Sequence, residues 1–238
     1  MRDRWTDGAS RDRLGASGAR SDNDEKHDRE IPMTDAAWHL FANPMSGPSY
    51  KAALMLALCG IRPKVTLVDL RGGEQKTPAF LARTPFGQVP VVEHAGRNVS
   101  QSASILEYIA AVTGRLGGLD EAERARIRAW MYWDFDRLAS SVYRVRTHVF
   151  GIRPLDEATV AHYLTLAGMA LDQLESRLAA SPWLEGNRPT IADVDVYGTV
   201  RYCGDARIDL ETRPAVRAWM ARVEALPGWG EPAALLVA

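Results

Sequence analysis

The chain of 238 residues is 46% hydrophobic and 25% charged, with 29 Lys and Arg against 30 Asp and Glu, the balance of an ordinary globular protein of one or two domains. A formal net charge of −1 argues against nucleic acid or an anionic membrane surface as a bulk partner, and no apolar run approaches the roughly 20 residues a membrane-spanning helix needs. The two cysteines, Cys59 and Cys203, fit no metal-ligand spacing and read as small buried apolar residues in a reducing cytoplasm.

Residues 1–32 are dense in mixed charge, Gly, Ser and Asp, without apolar periodicity. Such a composition cannot bury a core and predicts a disordered tail over 1–34. The stretch lacks the apolar run of a secretory signal, and its acidic residues argue against a mitochondrial transit peptide. Met33 stands just before the patterned chain. The expectation is that translation starts there naturally and that the preceding stretch is a reading-frame extension or an inert tail.

From Trp38 the elements follow in order. "WHLFAN" predicts a short strand, "NPMSGP" a turn, and "SYKAALMLALCG" a helix ending at Gly60. "KVTLVDL" predicts a second strand, parallel to the first through that helix. "TPAFLART" predicts about two helical turns. "QVPVVEHAGRNVS" reads as strand, tight turn at Ala95-Gly96 and strand, followed by a helix over Ser102 to Thr113. Pro90 inside the first of these strands cannot donate to a ladder, so it belongs at a strand start or edge. On spacing alone its peptide bond is trans. Beyond the connection "GRLGG" everything is helical: one long helix from Asp120 to Phe150, a second over "DEATVAHYLTLAGMALDQLESRLAA", and two more over "PTIADVDVYGTVRYC" and "RPAVRAWMARVEAL". The predicted organisation is an α/β domain over 35–115 and an all-helical domain over 120–238.

The turn "SGPS", Ser46 to Ser49, has the form of a thioredoxin-type Cys-Gly-Pro-Cys with both sulfurs exchanged for hydroxyls. Read by residue type, Ser46 is first an N-cap for the following helix. Thr190 and Asp193 likewise read as a reciprocal helix cap that serves folding rather than catalysis.

Three stretches resemble the cytosolic glutathione transferase family over residues 36–230: "FGQVPVVEHAGRNVSQSASILEYIA", "WLEGNRPTIADVDVYG" and "RPAVRAWMARVEALPGW". The resemblance implies a thioredoxin-like N-terminal domain, an all-helical C-terminal domain, usually a homodimer, a cytoplasmic setting, glutathione as co-substrate and a small electrophile or peroxide as second substrate. It places Ser46 where serine-type members carry the hydroxyl that faces the glutathione sulfur, with Ser49 as the fallback donor. Several bacterial members are similar here, reading Ser-Gly-Asn-x-Tyr-Lys against Ser46 to Lys51. It implies that Gln101 and Ser102 bind the γ-glutamyl end and that Val89, before a cis Pro90, pairs its backbone with the cysteinyl unit. Gln75 contacts glutathione on the same basis, and Lys76 is a weaker candidate for the glycyl carboxylate. The second substrate would lie against the long helix near Trp130, Tyr132, Trp133, Tyr143, Arg144 and His148, where some aromatics must be core. An aromatic cleft suits an apolar electrophile, and an arginine in it a carboxylated one.

The expected activity is thus glutathione transfer to an electrophile. The alternatives are a zeta-like maleylacetoacetate isomerase and a non-catalytic glutathione-transferase-like binding protein. The isomerase is weakened because Gly47 and Pro48 replace the second serine and the cysteine of that class's motif, and Lys51 its arginine. Disulfide chemistry is disfavoured, since no cysteine stands at 46 or 49.

Overall fold

The structure, a computed structural model, describes residues 37–238; the expectations for the tail and for Met33 lie outside the described residues. Strand β1 (His39–Ala42) pairs in parallel with β2 (Lys64–Leu67) through helix α1 (Gly47–Leu58), as the spacing predicts. On its other side β1 pairs antiparallel with β3 (Val91–His94), which forms a hairpin with β4 (Arg97–Ser100), giving the order β2-β1-β3-β4. Because side chains alternate along a strand, Leu40, Ala42 and Val92 face the main core. Phe41 and Val91 face a smaller cluster with Val68 and Phe80. This mixed sheet, with α1 and α3 (Ser102–Thr113) packed together, is the thioredoxin-like half.

Helix α2 is a single turn, Pro78–Leu81, shorter than the two turns expected. Pro85 follows closely and restricts the residue before it to extended backbone, which ends the helix early. The Val89–Pro90 peptide bond is cis, contrary to spacing alone and in agreement with the family resemblance.

The expected long helix is continuous from Glu121 to Val149 but not uniform. It runs as α4 (Glu121–Trp133), a π-helical turn over Asp134–Ala139, and α5 (Ser140–Val149). Such turns insert an extra residue into the helical register and recur at functional sites. Here the turn begins where Asp134 points inward. Helices α6 (Glu157–Ala180), α7 (Ile191–Val200) and α8 (Pro214–Glu224) complete the helical half, and a short α9 (Pro232–Leu235), not expected from the sequence, packs on α1. Thr190 and Asp193 form the expected capping box at the start of α7. Asp193 also accepts from Leu184 N–H at 3.0 Å and Trp219 Nε1 at 2.9 Å, so it is a buried structural node. One cluster of buried side chains runs from Leu40 to Leu236. Helix α1 lies at its centre, which fixes its N-terminal end against α7.

Candidate functional site

A cavity of about 820 Å³ opens between the loops of the thioredoxin-like half and the π turn and α5 of the helical half. Ser46, Gln75, Lys76, Val89, Pro90, Gln101 and Ser102, all named from the sequence, line this one cavity. Ser49 does not. It is fully buried, and its hydroxyl accepts from Asn43 N–H at 3.2 Å.

Ser46 is the N-cap of α1. Its backbone is extended (φ −90°, ψ 111°), and its Oγ accepts from Ser49 N–H at 3.2 Å. That bond uses an oxygen lone pair and leaves the hydroxyl proton available to a second partner. Capping and donation are therefore compatible at this residue. The helix start adds unsatisfied N–H groups and the positive end of the dipole.

The opposite wall of this half is formed by Gln75, Val89, Pro90, Gln101 and Ser102. Val89 precedes the cis bond and lies outside the β3 ladder, which begins at Val91. Gln75 donates to Leu70 C=O at 3.3 Å, while its Oε1 is buried without a partner among the described residues. A buried acceptor without a partner is costly and marks a place where a donor belongs. Gln101 caps α3 with no side-chain cap bond and sits at φ +69°, a region few non-glycine residues adopt. Its Nε2 instead donates to Gln88 Oε1 at 3.2 Å. Ser102 is the first residue inside α3, and Gln101 is its cap. The free N–H groups of this first turn suit a carboxylate.

Of the residues expected against the long helix, Tyr132, Tyr143 and Arg144 line the cavity; Trp130, Trp133 and His148 do not. Trp133 donates to Gln173 Oε1 at 2.9 Å and packs edge-on against Trp130. His148 accepts from Leu155 N–H at 3.0 Å. They occupy other faces of the helix. Phe135 joins Tyr132 on the cavity side, and the two rings are 75% and 64% exposed.

The cavity floor holds a group that sequence reasoning missed. Lys51, on α1, lies 2.6 Å from Asp134 Oδ2 and 3.0 Å from Asp195 Oδ1, all three side chains being buried. Thr199 Oγ1 donates to Asp134 Oδ2 at 2.9 Å, and Asp134 Oδ1 has no hydrogen-bond partner among the described residues. Burial pushes the Asp134 carboxyl up to about 7, Lys51 opposes this and the Asp195 charge adds to it. Burial also acts to lower the Lys51 pKa, but the two carboxylates outweigh it and hold the ammonium charged. The sequence signal was a lysine in the otherwise apolar "SYKAALMLAL" and a second aspartate in "IADVDVYG". Two glycines make room. A Cβ on Gly198 would overlap Lys51 Cγ, and one on Gly47 would lie 2.5 Å from the Tyr143 ring.

The arrangement can hold an extended peptide along the sheet side, with a thiol at Ser46 and a carboxylate at α3. An apolar partner would lie against Tyr132 and Phe135.

Comparison with known proteins gives two family matches, "Glutathione S-transferase, N-terminal domain" over residues 46–112 and "Glutathione S-transferase, C-terminal domain" over 157–222. A protein of Hyoscyamus muticus named glutathione S-transferase is 29% identical over 206 residues, covering 79% of this chain and 95% of the relative. The disulfide-bond oxidoreductase YfcG of Escherichia coli (strain K12) is 30% identical over 189 residues, covering 76% and 88%. A crystal structure from Rhodopseudomonas palustris, described as a possible glutathione S-transferase, is similar with a TM-score of 0.76 and 34% identity, covering 82% of this chain and 89% of that one.

Proposed function

The chain belongs to the glutathione transferase family, and from that premise we propose that Ser46 stabilises the glutathione thiolate for attack on a small electrophile bound against α5. Glutathione is the co-substrate. The observation that supports this reading best is the convergence on one cavity of a capped helix start with an available hydroxyl and the unpartnered Gln75 Oε1. The half-buried Val89 and the first turn of α3 lie in the same walls.

A free thiol titrates near 8.5. Lowering it by about two units needs roughly 2.7 kcal/mol of preference for the anion. A helix dipole worth up to about 2 kcal/mol and a charge-assisted hydrogen bond of about 1.5–3 kcal/mol supply that. Ser46 need not remove the proton, which passes to solvent as the bound thiol ionises; it donates its own hydrogen bond to the sulfur anion. The sulfur lone pair then forms the bond to the electrophilic carbon, and the leaving group departs with its electron pair. Val89 would pair with the cysteinyl backbone as an added strand does. The α3 N-terminus, with Gln101 and Ser102, would take the γ-glutamyl carboxylate. Gln75 Oε1 would accept from a glutathione N–H, and Lys76 would face the glycyl carboxylate.

Cysteine-based disulfide exchange does not fit this site. Serines occupy 46 and 49, Cys59 and Cys203 are buried, and burial pushes the Cys203 thiol up to about 12. The isomerase and the non-catalytic reading are not favoured by the relatives. A glutathione-binding domain over 35–115, a helical domain over 120–238, a homodimer and a cytoplasmic setting complete the proposal. Among the described residues no helix is long and apolar enough to cross a membrane.

The test is calorimetric titration with glutathione, wild type against Ser46→Ala, together with ultraviolet difference absorbance of the bound thiolate. Binding in both with thiolate absorbance at neutral pH only in the wild type is the expected result. Equal thiolate signals would remove Ser46 from the chemistry, and no binding in either would overturn the function.

A further inference from the structure

The helix from Glu121 to Val149 carries six arginines, and five have carboxylate partners. Arg124 pairs with Glu121, Arg126 with Glu185, Arg128 with Glu107 and Glu121, Arg137 with Asp136, and Arg146 with Asp205. Arg144 has no side-chain partner among the described residues, and of the six it alone lines the cavity. It lies in a stripe Ser140, Tyr143, Arg144 and Thr147 on the cavity wall, the spacing of one helix face.

Arg153 also lines the cavity and is also unpaired among the described residues. Its backbone N–H bonds to Thr147 C=O at 3.1 Å, and Thr147 Oγ1 donates to Arg144 C=O at 3.0 Å, which ties both arginines to the end of α5. The carboxylates on this wall are already engaged. Asp134 and Asp195 share Lys51, and Asp136 pairs with Arg137. The same cavity is lined, about two to three helical turns nearer the start of the helix, by the exposed rings of Tyr132 and Phe135. A guanidinium is a planar fork of donors matched to a carboxylate, and the rings offer an apolar surface to the rest of the molecule.

We propose that Arg144 and Arg153 select second substrates that carry a carboxylate on an aromatic or apolar body. This deepens the glutathione transferase reading and rests on it.

The test uses two S-aryl glutathione conjugates, S-(4-carboxy-2-nitrophenyl)glutathione and its 4-carboxamide, titrated calorimetrically into the wild type and into an Arg144→Gln/Arg153→Gln variant. The wild type is expected to bind the carboxylate conjugate about tenfold more tightly, the size of a partly exposed charge-assisted contact. The preference shrinks in high salt. In the double variant the ratio of the two affinities falls to about one, and Arg144→Lys with Arg153 intact retains part of it. The ratio is internal to each protein, so a general loss of binding does not imitate the result. Equal affinities in the wild type would overturn the proposal. So would a variant that weakens both conjugates and free glutathione alike, which would assign the arginines to the peptide's own carboxylates. If the conjugates show the preference but Ser46→Ala leaves the bound thiolate unchanged, the selectivity stands and the role of Ser46 falls. If neither glutathione nor either conjugate binds, both fall together.

Discussion

Replacing Ser46 by alanine removes one oxygen that stands in two relations at once. Oγ accepts from Ser49 N–H at 3.2 Å, and on the proposed mechanism it donates to the glutathione sulfur. The first relation belongs to the free protein. Losing an N-cap costs about 1 kcal/mol, which lowers Tm by about 2–4 °C in a protein of this size. The second appears only with glutathione bound. Losing a charge-assisted bond of about 1.5–3 kcal/mol at about 1.36 kcal/mol per pKa unit raises the bound-thiol pKa by about one to two units. Helix α1 keeps its dipole and its remaining N–H groups, so the thiol stays below its free value. Urea denaturation measures the first effect, and ultraviolet titration of the bound complex from pH 5 to 9 the second. Turnover at neutral pH should fall about threefold for a one-unit shift and about twenty-fivefold for two units, as the thiolate fraction drops. Ser46→Thr keeps hydroxyl and cap and should restore most of both. Ser49→Ala should leave the bound-thiol pKa unchanged, because that hydroxyl is buried against Asn43. If Ser46→Ala loses the cap energy while the bound-thiol pKa moves by less than a few tenths, backbone N–H groups suffice and the Ser46 hydroxyl has no part in activating the thiol.

The floor of the cavity and its glycines give three further expectations. Lys51→Met leaves Asp134 and Asp195 buried without their cation and should cost about 3–5 kcal/mol in urea denaturation; a loss below about 1 kcal/mol would mean the carboxylates are not held as the geometry shows. The Asp134 carboxyl, pushed up to about 7 from an ordinary 3.8, binds more protons folded than unfolded between those values. The unfolding free energy from this group therefore falls as pH rises through that window. Thermal melts of the wild type should lose stability relative to Asp134→Asn between pH 5 and 8, and a pH-independent difference would contradict the assignment. Gly47→Ala drives a methyl into the Tyr143 ring and should cost about 1–3 kcal/mol. In a Tyr143→Ala background the same change should cost much less, and additive losses in that double-mutant cycle would show that the close approach is not what requires glycine.

Much of the α/β half was legible because its signals are local. β1, α1 and β2 follow from an apolar strand, a Pro-Gly turn and a helix stopped at Gly60. The β3–β4 hairpin follows from Ala95-Gly96, and the start of α7 from Thr190 and Asp193 three residues apart. The loop-side lining was legible through the motifs of a family, which name Gln75, Val89, Gln101 and Ser102 without locating them in space. The cis bond at Pro90 depended on that likeness, because local energetics favour trans.

Local pattern and residue type set which residues form the elements and which carry usable chemistry. Which of them meet depends on long-range packing. Ser46 and Ser49 are three residues apart on one helix start, yet packing turns one toward the cavity and the other onto Asn43. Trp130, Trp133 and Tyr132 share a helix, and only Tyr132 reaches the cavity. Aromatic residues cover more than one face there, and periodicity cannot say which face a neighbouring helix will cover. Lys51 and Asp134 are 83 positions apart, a pairing with no local trace. It exists because α1, the π turn and α7 pack together, and a charge buried among them is stable only against a partner brought from far along the chain.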